Sequence, residues 1–181
     1  MIHTPITDVI VVETHTARDP RGSFSRFYCD ESLQVILGNR KIVQINHSLT
    51  KHVGSIRGMH YQNPPAAEMK LIRCLKGRVF DVALDLRKKS ETFMQWHAEE
   101  LSPDNNNLLV IPEGCAHGFQ VLEEGSELLY LHTQHYKPEH EGGIRFDDPS
   151  INIKWPLAPA DISIRDQSHP LISQEFTGIV L

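Results

Sequence analysis

Residues 54–85, GSIRGMHYQNPPAAEMKLIRCLKGRVFDVALD, decide how the chain is read. The Pro64–Pro65 pair and Gly77 cut this stretch into three short extended segments, and Arg57, His60, Gln62, Lys70 and Asp81 sit among their apolar residues. Strand side chains alternate between faces, so polar groups embedded in such a run cannot all reach water without dragging apolar neighbours out with them. Some of them must face a cavity.

Toward the N-terminus, Asp8 to Thr14 reads as a strand, ARDPRG (17–22) as a turn, and Ser23 to Tyr28 as extended chain. Asp30 to Leu37 reads as a helix, with Asp30 as N-cap and Gly38 as the stop. Ile42 to Leu49 follows as a strand with Gln44 and Asn46 on one face. Toward the C-terminus, Thr92 to Leu101 and Leu108 to Ile111 are strands separated by the polar turn SPDNNN, and IPEGCAHGFQVL (111–122) is a turn leading into another strand. In Glu127 to Gln134, alternation puts Leu128, Tyr130, His132 and Gln134 on one face. Lys137 to Pro149 is polar and Gly-rich without a helical period, and the chain ends in Ile151 to Trp155 and a loop or short helical tail containing Asp166. About ten short strands, one helix and no alternation of strand with helix predict an all-β, antiparallel sandwich or barrel. No linker divides residues 1–181, so one domain is expected.

Eighteen basic and twenty-three acidic residues give a net charge of -5, and no basic run would track a phosphate backbone, so nucleic acid is not an expected partner. No apolar run approaches the ~18 residues that span a bilayer, and the N-terminus lacks a basic start followed by a long apolar core. Cys29, Cys74 and Cys115 lack the spacing of a zinc site or a disulfide framework, which suits a soluble protein in a reducing cytoplasm. The eleven histidines are dispersed, and most are expected at the surface.

Two chemistries compete for the polar residues. Gly54, His60, Glu68 and Gly77, then Pro112, Gly114 and His117, resemble the two metal-binding motifs of cupin jelly rolls. The position of the second histidine, however, holds Gln62, whose amide is a poorer ligand for a transition metal than imidazole. The other chemistry is metal-free proton transfer next to a carbonyl. It needs a base, a group to hold the enolate oxygen and an acid, which His60, Lys70 and Tyr130 supply.

RGMHYQ, IPEGCAHGF, ELLYLHTQHYKPEHEGGI and DDPSINIKWP, with DPRGSFSRF and QINHSLT earlier, closely resemble the dTDP-4-dehydrorhamnose 3,5-epimerase family across almost the whole chain. The resemblance implies a cofactor-free, cupin-like jelly roll, a homodimer, that inverts C3 and C5 of a dTDP-4-keto-6-deoxyhexose in deoxysugar biosynthesis. It implies His60 as base oriented by Asp166, Lys70 at the C4 oxygen, Tyr130 as proton donor, and His117 against the substrate. Arg21, Gln44, Asn46, Arg57, Tyr136 and Glu141 match positions that bind the nucleotide sugar. Arg26 and Arg165 also match substrate-binding positions, but Arg26 stands where the family usually has a nucleotide-contacting Glu, and Arg165 where it often has Lys. The Lys usual after the tyrosine is replaced by Leu131, with His132 next. Such replacements suit a relative that acts on another deoxysugar or inverts one carbon only; a ketoisomerase on the same scaffold is a related alternative, against which Tyr130 in the donor position favours epimerisation.

Overall fold

The computed structural model describes residues 1–181. Its strands in chain order are β1 (Ile2–His3), β2 (Ile10–Val12), β3 (Thr16–Asp19), β4 (Gly22–Ser25), β5 (Gln44–Thr50), β6 (Ile56–Gln62), β7 (Lys70–Lys76), β8 (Val79–Asp85), β9 (Trp96–Leu101), β10 (Leu108–Ile111), β11 (Cys115–Val121), β12 (Ser126–His132) and β13 (Glu141–Gly143). Helices α1 (Asp30–Leu37) and α2 (Ile164–Ser168) flank them. The three segments of the central stretch are thus β6, β7 and β8.

Strand pairing is antiparallel throughout and builds two layers, β1-β2-β10-β7-β12-β5 and β13-β6-β11-β8-β9. This is a cupin-like jelly roll, with no helix long and apolar enough to cross a membrane. Between the layers, Ile72, Cys74, Leu109 and Leu128 of one sheet meet Val79, Ala83, Phe119 and Val121 of the other. The outer faces are covered as well. Leu33 and Leu37, one turn apart on α1, pack on Leu71, Val110 and Leu131. On the far side Ile144, Ile151, Ile153 and Ile179 pack on Val82, Leu84 and Ala116. Burial on both faces leaves β8, β10 and β11 without the exposed alternate positions of a one-sided sheet, polar residues included.

Four local readings change. ARDPRG is the centre of a hairpin, because the turn is confined to its tip and the flanking residues pair as β3 and β4. Of Thr92 to Leu101 only Trp96–Leu101 is strand: the Ser90 and Thr92 hydroxyls are turned onto the buried Asp85 carboxylate and Met94 has φ 65°. The N-cap of α1 is Cys29, with extended backbone, while the Asp30 carboxylate accepts from the Tyr28 hydroxyl instead of the helix. Lys137 to Pro149 contains β13, paired along β6, and a single 3-10 turn at Pro138–His140.

The strand pair that carries the candidate base is unusually close. A Cβ on Gly58 would lie 2.4 Å from the Gly118 Cα, and one on Gly118 would lie 2.6 Å from the Met59 Sδ. Only glycine fits either position, and Gly58 has φ +133°. Around this contact the β6–β11 register shifts, between His117 paired with His60 and Phe119 paired with Arg57. The bulge lets Arg57 and His60, three residues apart, open onto the same cavity, which strict alternation forbids.

Candidate active site

At one end of the gap between the sheets lies a cavity of about 730 Å³. From the five-stranded sheet, β6 contributes Arg57 and His60 and β11 contributes His117; from the six-stranded sheet, β7 contributes Lys70 and β12 contributes Tyr130 and His132. The base and acid suggested by the sequence therefore come from opposite walls of one space.

His60 is held from beneath. Its Nε2 lies 2.8 Å from Asp166 Oδ1, and the other Asp166 oxygen accepts the Gly58 N–H at 3.2 Å. Asp166 sits in the first turn of α2, which starts there because the Ser163 hydroxyl caps the Asp166 N–H at 3.0 Å. Burial works to raise the Asp166 carboxyl, but the hydrogen bond and charge of His60 outweigh it and the net shift is downward. An ionised Asp166 requires the proton on His60 Nε2, leaving Nδ1 as the basic nitrogen.

Lys70, 7% exposed, donates from Nζ to the His60 carbonyl at 3.1 Å and lies 3.5 Å from Glu68 Oε1. Burial pushes the Tyr130 phenol above its usual value, so it is a hydrogen donor at neutral pH. Its ring meets His117 edge-on at 5.8 Å and stacks on His132 at 6.0 Å, and its oxygen is 3.5 Å from the Ser48 hydroxyl.

Three imidazole–carboxylate pairs share the region. Besides His60–Asp166, His117 Nε2 lies 2.9 Å from Asp81 Oδ1, and His132 Nδ1 lies 2.8 Å from Glu68 Oε2. Burial raises Asp81 and lowers His117, two faces of one effect: the dry interior opposes both charges and the pair shares a proton. The donors nominated by the cupin pattern, His60, Glu68 and His117, are consequently tied to three different partners instead of converging. The histidines are also less superficial than their dispersion suggests, since His60, His97, His117, His132, His140 and His169 are half-buried or buried.

At the mouth, the Tyr136 hydroxyl donates to Glu141 at 2.8 Å and the Arg165 guanidinium donates to the same carboxylate. Arg57 Nε donates to Thr50 at 2.9 Å, and Asn46 lies against His132 Nε2. Gln44 stands at the rim, where it accepts the Tyr136 N–H and donates to Asn46. Two suggested residues lie elsewhere. Arg21 is at the exposed tip of the β3–β4 hairpin, paired with Asp19, and Arg26 lines a separate 410 Å³ pocket beside Arg73. The physical reason is that the hairpin pairs only with itself and never joins the sheets that wall the cavity.

Of the three carboxylate partners, only Asp166 is anticipated in the sequence, through the family resemblance. Asp81 and His117 are 36 residues apart and Glu68 and His132 are 64 apart, joined only by strand register. A carboxylate inside an apolar strand, as Asp81 is, was the one available signal. His169, whose ring meets His60 edge-on at 5.6 Å, carried none.

An oriented imidazole, a fixed ammonium and a protonated phenol around one cavity of a jelly roll define an epimerase or isomerase site acting on carbon next to a carbonyl. A family model described as dTDP-4-dehydrorhamnose 3,5-epimerase matches residues 3–174. The enzyme of that name from Salmonella typhimurium is 42% identical over 176 residues, 96% of each chain, and that from Pseudomonas aeruginosa is 44% identical over 158 residues, 87% of this chain and 86% of the other. The crystal structure of dTDP-6-deoxy-D-glucose-3,5-epimerase from Legionella pneumophila, in complex with dTDP-4-keto-L-rhamnose, superposes with TM-score 0.91 at 36% identity, covering 98% of this chain and 96% of that one. The chain belongs to the dTDP-4-dehydrorhamnose 3,5-epimerase family.

Proposed function

We propose that the protein inverts C3 and C5 of a dTDP-4-keto-6-deoxyhexose, without a cofactor, as a step of deoxysugar biosynthesis. The C4 ketone acidifies the protons on both neighbouring carbons. His60 Nδ1 removes one, Lys70 holds the enolate oxygen, and Tyr130 returns a proton to the opposite face of the ring. Asp166 stabilises the imidazolium formed on the way. His117, with Asp81 behind it, hydrogen-bonds the sugar, and Asn46 and Gln44 border it. Arg57 and Arg165 take the diphosphate, whose oxygens suit guanidinium forks, while Tyr136 and Glu141 receive the nucleoside at the mouth. The observation that carries this reading is that His60 and Tyr130, on facing sheets, open onto one cavity with Lys70 beside them.

The working form is a homodimer in the cytoplasm. The β3–β4 hairpin projects Phe24 at 75% exposure, and the edge strand β5 leaves Ile45 and Leu49 uncovered near the cavity. In that dimer Arg21 and Arg26, which lie away from their own cavity, serve the cavity of the second copy. Its three cysteines are unpaired, in keeping with a reducing compartment.

The test is incubation with dTDP-4-keto-6-deoxyglucose in D₂O. Deuterium at both C3 and C5 with inversion is the expected result. Label at one carbon reduces the assignment to a monoepimerase, a moved carbonyl makes it a ketoisomerase, and no label with folded protein sinks it.

A further inference from the structure

His169 is the one imidazole at the base that the proposed reaction leaves without a task. It follows α2, three residues after Asp166, and its Nε2 is buried with no hydrogen-bond partner. The ring is held in place by an absence: a Cβ on Gly143 would lie 2.3 Å from His169 Nε2, so the bare glycine of β13 makes the seat. From there Nε2 looks at Asp166 Oδ1 across 3.8 Å, while His60 Nε2 is 2.8 Å from the same oxygen. One ligand atom from each of His60, Asp166 and His169 lies within 4.8 Å of the other two. Tetrahedral zinc with bonds of ~2.0–2.1 Å sets its ligand atoms ~3.3 Å apart, so shifts of under ~1 Å at each atom gather this triangle.

The geometry points to a zinc-class cation site formed by His60, Asp166 and His169, whose occupation turns the enzyme off. Two imidazoles and one carboxylate suit Zn²⁺, Co²⁺ or Ni²⁺ and not Mg²⁺ or Ca²⁺, which prefer oxygen ligands. Three protein ligands leave a fourth position for water. The site differs from the cupin cage, since it uses neither Glu68 nor His117 and draws two ligands from the C-terminal tail.

The inhibitory consequence rests on His60 as the base. A cation inserted between His60 Nε2 and Asp166 takes the place of the proton these two atoms share. The ring then binds the metal through Nε2 and carries its proton on Nδ1, the nitrogen that would otherwise accept a proton from the sugar. No redox step is involved: a metal–nitrogen bond forms, and the displaced Nε2 proton moves through solvent to Nδ1. An imidazole in that state offers the substrate an N–H where it needs a lone pair.

The experiment uses chelator-treated full-length protein titrated calorimetrically with ZnCl₂ and, separately, MgCl₂, beside His169→Ala and the bulkier His169→Gln, each checked for folding by thermal unfolding. The expected result is one Zn²⁺ per chain whose affinity falls at least tenfold in both variants, with no Mg²⁺ binding. In parallel, Zn²⁺ lowers kcat/KM on the keto sugar in the parent protein, and the concentration needed rises at least tenfold in the variants. Zn²⁺ binding of equal affinity in parent and variants, or none in the parent, overturns the site. Tight binding without inhibition overturns the switch. Should no form of the protein turn over the keto sugar, the proposed reaction fails, and the calorimetric difference still decides the metal site.

Discussion

The two ends of the gap between the sheets are built from the same strands and the same inward faces, yet they hold opposite chemistry. On β7 the inward positions run Lys70, Ile72, Cys74; on β11 they run His117, Phe119, Val121; on β12, read backward, His132, Tyr130, Leu128. At the closed end these positions interdigitate as a dry core, and at the open end they meet as ions and hydrogen-bonding groups. Alternation is the same along each strand. What changes is the residue type at each strand's cavity end, and every imidazole placed there brings its own carboxylate. Burying such a group alone would be costly, so the site is a set of pairs rather than a set of residues.

Substitutions at the two ends should therefore separate chemistry from stability. The largest effect is expected for His60→Asn: kcat/KM falls about 10⁴-fold, ~5.5 kcal/mol of transition-state stabilisation, while stability to urea falls by only about 1 kcal/mol, the cost of leaving Asp166 without that hydrogen bond. A variant keeping a tenth of the parent rate would place the base elsewhere. At the closed end, Leu109→Ala should reverse the pattern. Leu109 is fully buried, and its truncation is expected to cost ~3 kcal/mol of stability with kcat/KM unchanged in the folded protein. If activity fell with stability still intact, the two ends would not be independent. Tyr130→Phe should come next, at about 10²-fold in rate, ~2.7 kcal/mol. Its signature is a split between two readouts: deuterium still exchanges into the sugar, because His60 remains, while inversion carries the about 10²-fold loss.

The fold was legible because its strands are short and punctuated. Pro64–Pro65 and Gly77 bound β7, and Gly38 stops α1 with φ +59°. Reading fails where a local signal competes with a distant contact. Asp30 looks like a cap but is claimed by Tyr28, and Thr92 looks extended but is claimed by Asp85. The site was legible by type, since histidine, lysine and tyrosine inside apolar strands are conspicuous. Their arrangement was not. Arg57 and His60 share a face only because of the bulge at Gly58, and the partners of His117 and His132 are fixed by strand register across the sheet. Arg21 and Arg26 show the reverse limit, for a motif match carries no information about whether one chain can bring its own residues to its own cavity.

The smallest effect expected is on the pH dependence of stability, and it distinguishes the pairs from one another. Burial works to raise the Glu68 carboxyl, but the His132 hydrogen bond and the Lys70 charge more than offset it, so its folded value lies below its unfolded one. A depressed carboxylate contributes stability above its unfolded pKa, ~4.3, and loses it as pH falls through the lower folded value. Asp166 and Asp85, also depressed, act with the same sign. Asp81 has the opposite sign. Burial holds it above its unfolded value despite His117, so its contribution is present at low pH and fades as pH rises through the folded value. Urea unfolding measured in steps from about pH 3 to pH 7 should then show stability rising with pH across the carboxylate range. Glu68→Gln should flatten that rise, and Asp81→Asn should steepen it. If both variants change the slope in the same direction, the open end is one averaged electrostatic field, and the description of it as separate imidazole–carboxylate pairs is wrong.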